Sequence, residues 1–386
     1  MKRNKILVVG AGREGKGFLG QVYAASGWEV IFLDKNPDVV HSLQEKGSYK
    51  VKLLEADQTV VAEVSGYRAY VCDEECSCLM DIVDADVIAL CLYPEDIKEA
   101  AEYLARGLEE RAKQDGKEVT ILSCTNLNHI ISEVEKWFYD PLSEQAKEWF
   151  KKNAVVRDVI VRRSTSADAS DSLKLESMAV ASLLIQKPVN VDLSKVIWME
   201  LTDDLEKLKE VKLYTYNAPH ATCAYAGYLK GYNTIGEAEN DPEIRQLMNE
   251  VLKEAIKALA LEFQMEESKL WEFCTLPAPK EVLVDYIYRV AYDPVRKLGR
   301  NDRLTGNACF CYKHGLPYDA LAQSIANGFA YSEERDEKAQ KIQQMIRKCG
   351  IEDTVSQVCG LPKNHEIAIK VINYYQKLID ERRTEK

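Results

Sequence analysis

The segment from Lys5 to Asp34 constrains the fold more than any other stretch of the chain. It opens with an apolar run, Lys5-Ile-Leu-Val-Val9, followed by a glycine-rich turn, Gly10-Ala11-Gly12-Arg13-Glu14-Gly15. An amphipathic stretch carrying Phe18, Leu19, Val22 and Tyr23 stops at Gly27, and a second apolar run, Val30-Ile-Phe-Leu33, is closed by Asp34. Strand, turn, helix, strand and terminal acid in this order make a dinucleotide-binding unit. Gly10 permits the tight turn, Gly12 lets a pyrophosphate approach the backbone at the Gly10-Ala11-Gly12 bend, and Gly15 lets helix and strand pack closely. The helix N-terminus then offers free N–H groups and partial positive charge to the phosphates. Asp34, 19 residues after Gly15, stands where it accepts hydrogen bonds from the adenosine ribose and repels a 2′-phosphate. NAD is therefore expected over NADP, with Lys35 next door tempering the preference.

The N-terminal half goes on alternating strands with helices. Asn36-Pro37 caps a helix running through Gln44 and ending at Gly47, and Tyr49, Val51 and Leu53 alternate as a half-buried strand. Asp86–Leu92 reads as a buried strand, then Pro94 and an amphipathic helix to about Arg111; Val119–Ser123 is another strand, ending at Cys124-Thr125-Asn126. Asp158–Val161 and the stretch from Ala179 to Gln186 supply later strands. Ligands of open α/β sheets sit beyond the carboxyl ends of the strands, which places Asn126 and the Leu92-Tyr93-Pro94 turn at the cofactor cleft. From about Leu193 the pattern becomes helical: helices are expected from Asp241-Pro242 through Leu259, and near 268–273, 280–290, 318–325 and 366–379. The expected architecture is an α/β Rossmann-type domain over residues 1–192 and an all-α substrate and catalytic domain over 193–386.

A formal charge of −11 excludes nucleic acid and anionic membrane as bulk partners, though not a small anionic substrate. No apolar run reaches 18 residues, and Met1-Lys-Arg-Asn-Lys5 leads into the first strand without a signal-peptide core, so a cytoplasmic protein is expected. The 11 cysteines are scattered; Cys72, Cys76 and Cys78 form the tightest group, but without a paired CxxC or a nearby histidine no metal site is expected.

In the helical half, the run Lys212-Leu-Tyr-Thr-Tyr-Asn217-Ala-Pro-His220 stands out. On one helix its lysine, amide and imidazole fall within roughly 140° of a single face. Such a set can move a proton to or from a hydroxyl without a metal. Together with the N-terminal unit, it points to an enzyme.

These residues, with Gly10–Gly20, Met199–Leu205, Val295-Arg296-Lys297-Leu298, Asp302-Arg303-Leu304 and His314–Pro317, give a chain that resembles the polyol-specific long-chain dehydrogenases over nearly its whole length. The resemblance implies an NAD-dependent, metal-independent dehydrogenase interconverting a sugar alcohol, phosphorylated at one end, with the matching ketose. It implies Lys212 as general base, Asn126 and Asn217 as the amide pair that holds the developing alkoxide, and His220 as an orienting donor. Arg162, Arg296, Lys297 and Arg303 supply candidate cations for a phosphate or carboxylate. The chain departs from the family pattern at Thr125 (a glutamate in the family), Tyr93 (a glycine), Arg162 (an acid) and Tyr292 (an arginine). Arg162 keeps a hexuronate reductase open as the alternative, and the altered shell keeps open a catalytically silent NAD-binding sensor. Oligomeric state is left open.

Overall fold

The computed structural model describes residues 3–384 apart from 126, 169, 278, 280 and 282, so the expectation for Asn126 lies outside the described residues. Two compact units emerge. One comprises Met1–Leu208 together with Pro277–Leu283, the other Lys209–Leu276 together with Val284–Lys386.

Among its described residues the first unit has twelve strands: β1 (Lys5–Val9), β2 (Glu29–Asp34), β3 (Ser48–Leu54), β4 (Thr59–Ser65), β5 (Arg68–Val71), β6 (Val87–Leu90), β7 (Val119–Ser123), β8 (Ala154–Val161), β9 (Thr165–Ala167), β10 (Lys174–Met178), β11 (Leu183–Gln186) and β12 (Met199–Thr202). The large sheet runs β12-β11-β8-β7-β6-β1-β2-β5. From β5 to β8 its strands are parallel; β11 turns antiparallel to β8 and β12 follows β11 in parallel. The chain winds outward from β1 through β2 to β5, then returns to β6 on the other side of β1. This reversal creates the crevice in which doubly wound sheets bind ligands.

Residues alternate between two cores because successive side chains leave a strand on opposite faces. Ile6, Val8, Val30 and Phe32 join one core, while Leu7, Val9, Ile31 and Leu33 join the other. Both faces are covered, which explains why β1 and β2 read as nearly unbroken apolar runs. The helices Leu79–Asp84, Ile97–Lys113, Ile131–Tyr139 and Glu144–Asn153 cover the second face.

On the first face lies a smaller sheet, β4-β3-β10-β9, which the sequence pattern only half anticipates through β3. Its central pair, β3 and β10, is parallel and joins residues more than 100 positions apart. The glycine-rich turn leads into a π-helical stretch, Gly15–Gly20, continued by the α-helix Gln21–Ala25. This helix needs small residues because both sheets crowd it. A Cβ at Gly20 would lie 2.6 Å from both the Phe32 ring of β2 and the Tyr49 hydroxyl of β3. Tyr49 donates to the Lys16 carbonyl at 2.8 Å, so that acceptor is satisfied from outside the widened turn. The expected helix after Asn36 spans Pro37–Lys46, with the Asn36 side chain accepting from the Asp38 N–H and Gly47 left-handed at φ 64°.

The second unit is helical. Its centre is Asn217–Leu229, whose run from Ala218 to Gly227 is buried apart from His220. It is surrounded by Pro242–Phe263, Ile287–Ala291 and Asp319–Ala330. The helices expected around 268–273, 318–325 and 366–379 run Glu267–Cys274, Asp319–Ala330 and Glu366–Thr384. Two expectations need correction. Between 280 and 290 the described helix is only Ile287–Ala291, because the backbone before it is extended: Ile235 N–H donates to Asp285 O and Ile287 N–H to Asn233 O. Past Leu193 the chain is not yet helical, since β12 pairs with β11 as the edge of the large sheet.

Candidate active site

In the first unit a candidate binding cradle is built by backbone at the crevice beside β1. Gly10 has φ 95°, and a Cβ there would meet the Cys91 carbonyl oxygen at 2.4 Å. At Gly15 a Cβ would fall 2.1 Å from the Gly10 oxygen, so the turn closes on itself only if both positions lack side chains. Gly12 differs: a Cβ there meets nothing within 4 Å. That open position is the one a pyrophosphate needs, and the residues present fit a bound dinucleotide.

Asp34 braces the turn. Its Oδ2 accepts from the Ala11 N–H at 2.7 Å and its Oδ1 from the Asn36 N–H at 2.8 Å. A carboxylate has about four acceptor sites, so lone pairs remain for ribose hydroxyls. Beneath the turn Lys16 is buried and donates to the Ala11 carbonyl. Burial pulls its ammonium down to about 8, with Asp34 opposing the shift. Lys35 bonds Asp96 at 2.5 Å, so its charge is already paired. Tyr93 stands 70% exposed where β6 gives way to the next helix, and Thr125 is buried past the end of β7.

In the second unit the candidate proton-transfer residues sit at a junction between helices. Lys212 lies near the end of Leu205–Thr215, while Asn217 opens Asn217–Leu229 and His220 follows one turn later. The single helix expected across these residues is interrupted at Tyr216. Pro219 has no N–H for the Thr215 carbonyl and crowds it, which breaks the ladder there. Tyr216 keeps helical dihedrals (φ −83°, ψ −47°), so the turn is loosened rather than redirected. All three residues are half-buried. Lys212 and His220 are separated by about 12 Å of axial rise, and Asn217 falls between them.

The His220 Nε2 is 3.7 Å from Asp285 Oδ2, and Asp285 in turn holds Arg289 with both carboxylate oxygens. Burial pushes the imidazole down to about 4; Asp285 opposes this, while Arg289, Lys297 and Arg303 add to it. His220 is therefore neutral at pH 7. Three of the four candidate cations gather in this unit. Arg296 bridges Asp293 at 3.3 Å and Asp302 at 3.2 Å, and Arg303 Nε donates to Asp302 at 2.8 Å. Lys297 is buried and donates to the Val290 carbonyl at 2.6 Å. Burial, reinforced by Arg303 and Arg296 against Asp293 and Asp302, pulls it to about 7. Buried Asn307 donates to the carbonyls of both Tyr214 and Arg303 at 2.8 Å, joining the turn that carries Lys212 to the cation cluster.

Arg162 belongs to the first unit, half-buried just past β8. Its neighbour Arg163 is buried, donates to Ser177 Oγ at 2.9 Å and lies over the Phe18 ring. Sequence reasoning missed Asp285 and Arg289. Their four-residue spacing suits a helical ion pair, but nothing local ties them to a histidine 65 positions away. Among the described residues no group of three or more His, Cys, Asp or Glu side chains is arranged to hold a metal, and no described helix is long and apolar enough to cross a membrane.

The sequence and the fold both match known proteins. Residues 4–188 match the mannitol dehydrogenase Rossmann domain and residues 204–379 the mannitol dehydrogenase C-terminal domain. The chain is 31% identical to a mannitol-1-phosphate 5-dehydrogenase of Thermoanaerobacter pseudethanolicus, covering 97% of this chain and 98% of that one. It is 29% identical to a protein of the same name from Clostridium acetobutylicum, over 97% and 99% of the two chains. Among solved structures its fold is similar to substrate-free D-sorbitol dehydrogenase (TM-score 0.78, 15% identity, covering 98% of this chain and 94% of that one). It is also similar to the ternary complex of Pseudomonas fluorescens mannitol 2-dehydrogenase with NAD and D-mannitol (TM-score 0.70, 16% identity, 98% and 92%). The chain belongs to the mannitol dehydrogenase family.

Proposed function

We propose that the chain is an NAD-dependent dehydrogenase interconverting a phosphorylated sugar alcohol, of which mannitol 1-phosphate is the leading case, with its ketose phosphate, fructose 6-phosphate. The observation that carries this reading is a conjunction within one chain. A glycine cradle left open at Gly12 and closed by Asp34 accompanies a lysine, amide and histidine set whose imidazole is held neutral. The phosphate is suggested by the names of the curated relatives and by the cluster of Arg296, Lys297 and Arg303.

NAD, when bound, supplies the hydride acceptor. The chain does the rest. The turn N–H groups and the open face at Gly12 receive the pyrophosphate, and Asp34 takes the ribose hydroxyls. Lys212 Nζ removes the hydroxyl proton during oxidation and returns it during reduction. Asn217, with Asn126 as its expected partner, donates to the substrate oxygen as negative charge develops. A neutral His220 can donate through one ring nitrogen and accept through the other, which suits it to orient a hydroxyl; a protonated ring could only donate. The cation cluster grips the distant anion, and Arg162 is a further candidate for that contact.

The test is NADH oxidation measured against fructose 6-phosphate, unphosphorylated fructose and a panel of keto-uronates. Turnover that requires the phosphate supports the proposal. Turnover confined to keto-uronates makes the protein a hexuronate reductase, and tight NADH binding without any turnover makes it a sensor.

A further inference from the structure

We propose that Cys91 and Cys124 form a dithiol that closes to an intramolecular disulfide under a hydroperoxide and thereby loosens the dinucleotide cradle. The cradle's role rests on the function proposed above; the pairing of the two cysteines does not.

The pairing follows from register. Strands β6 and β7 are parallel, with Leu90 abreast of Ser123, and the Cys124 N–H donates to the Leu90 carbonyl at 3.0 Å. The ladder thus runs one residue past both strands and sets Cys91 beside Cys124. Residues abreast on neighbouring strands point to the same face at a spacing of about 4.8 Å. A disulfide accepts Cα separations of about 4.4–6.8 Å. Both side chains do share a face: each packs against the core that contains Tyr23. The Cys91 thiol is held well above its ordinary value, first by its hydrogen bond to Cys124 and then by burial. The Tyr23 hydroxyl, buried close to both thiols, has no hydrogen-bond partner among the described residues. Cys72, Cys76 and Cys78 belong to the opposite core and Cys349 is exposed, so none competes for this pairing.

The chemistry balances with the peroxide as oxidant. Cys124, once deprotonated, attacks the peroxide oxygen; the O–O bond breaks, leaving a sulfenic acid and an alkoxide or hydroxide that takes up the proton Cys124 released. Cys91 then attacks that sulfur, the S–O bond breaks, and the departing hydroxide leaves as water with the Cys91 proton. Two thiols and one hydroperoxide give one disulfide, one water and one alcohol, or a second water from hydrogen peroxide.

The effect on the cofactor follows from Gly10. Its missing Cβ faces the Cys91 carbonyl oxygen, and the Cys91 N–H donates to the Val9 carbonyl at 2.8 Å. Drawing Cys91 toward Cys124 moves the backbone on which the glycine turn is seated.

The experiment treats the full chain with hydrogen peroxide, maps disulfide-linked peptides by mass spectrometry and titrates NADH by fluorescence. The expected result is a Cys91–Cys124 linked peptide, about tenfold weaker NADH binding (1.4 kcal/mol by the affinity relation), and recovery with dithiothreitol. Cys91→Ser and Cys124→Ser each keep the parent's NADH affinity before and after peroxide, and NADH bound beforehand slows the crosslink. Absence of the linked peptide overturns the proposal, as does an equal loss of NADH affinity in both serine variants. If the linked peptide forms but NADH gives it no protection, the site is not at the cradle and the proposal also falls. Failure of the untreated, reduced protein to bind NADH would instead overturn the cofactor reading itself.

Discussion

The glycine cradle and the helix junction solve the same problem, holding a reactant in place, in opposite ways. At the cradle the work is done by backbone and by the absence of side chains: Gly10 and Gly15 leave no room for a Cβ, and Gly12 leaves room for a ligand. At the junction it is done by side chains, with burial holding His220 neutral while charged neighbours far away in sequence, such as Asp285 and Lys297, adjust it in opposite directions. The lesson is that the cradle is damaged by adding atoms and the junction by removing them. The first kind of damage belongs in cofactor affinity, the second in turnover and substrate affinity.

Lys212→Ala offers the widest separation of the two. It is expected to lower kcat by about 10²-fold or more, the usual weight of a general base, with NADH affinity unchanged in a fluorescence titration. A kcat loss below about threefold would place the base elsewhere.

Next comes Lys297, where charge at the junction can be titrated. Its folded value of about 7 lies below the ordinary lysine value of 10.5, so the folded protein favours the neutral amine. The cost of keeping it charged is full below about 7 and fades as pH rises toward 10.5. Stability is therefore expected to rise with pH across that window, relative to Lys297→Met, in thermal melts. Grip on an anionic substrate should run the other way. KM for the ketose phosphate should climb above pH 7 in the parent, while Lys297→Met should show a KM already raised about tenfold at pH 6 and nearly flat thereafter.

The cradle is probed by contrasting two glycines. Gly12→Val should fold with an unchanged melting temperature, because its side chain enters open space, yet weaken NADH binding by about tenfold or more. Gly15→Val should lower the melting temperature as well, since its Cβ meets the Gly10 carbonyl. If Gly12→Val binds NADH normally, the pyrophosphate lies elsewhere.

The smallest effect is expected at Asp34. The unmodified protein should prefer NADH to NADPH, and Asp34→Ser should narrow that preference several-fold by removing the charge that a 2′-phosphate would meet. The Ala11 and Asn36 N–H groups also lose their acceptors, so some NADH affinity should be lost too. Equal use of both cofactors by the parent would contradict the assignment of Asp34.

Legibility followed the range of the interactions. The path from β1 through the glycine turn to Asp34 is local, so strand, turn and acid were all readable in order. The small sheet was mostly hidden, because β3 and β10 pair across more than 100 residues and each is short and half-polar alone. At the junction, the residue types of Lys212, Asn217 and His220 were evident, but they were read on a single helix although Pro219 carries the signal of a broken ladder. The Asp285 contact and the burial of Lys297 were not evident, since both depend on how distant helices meet. The same holds for Arg296 and Arg303, which read as cations along the chain but in the fold share Asp302.

One feature of the first unit reaches beyond chemistry. Pro277–Leu283 returns to that unit from within the helical sequence, and Glu281 bonds Lys52 at 2.6 Å and Thr59 at 2.8 Å. No single cut in the polypeptide therefore releases both units intact. A hybrid joining residues 1–208 of this chain to the remainder of a relative would take this segment from the wrong parent, and a fragment ending at residue 208 would lack it altogether. The two units are not interchangeable cassettes: recombination that exchanges one must carry the strip with it, so the binding half and the helical half are inherited as a pair.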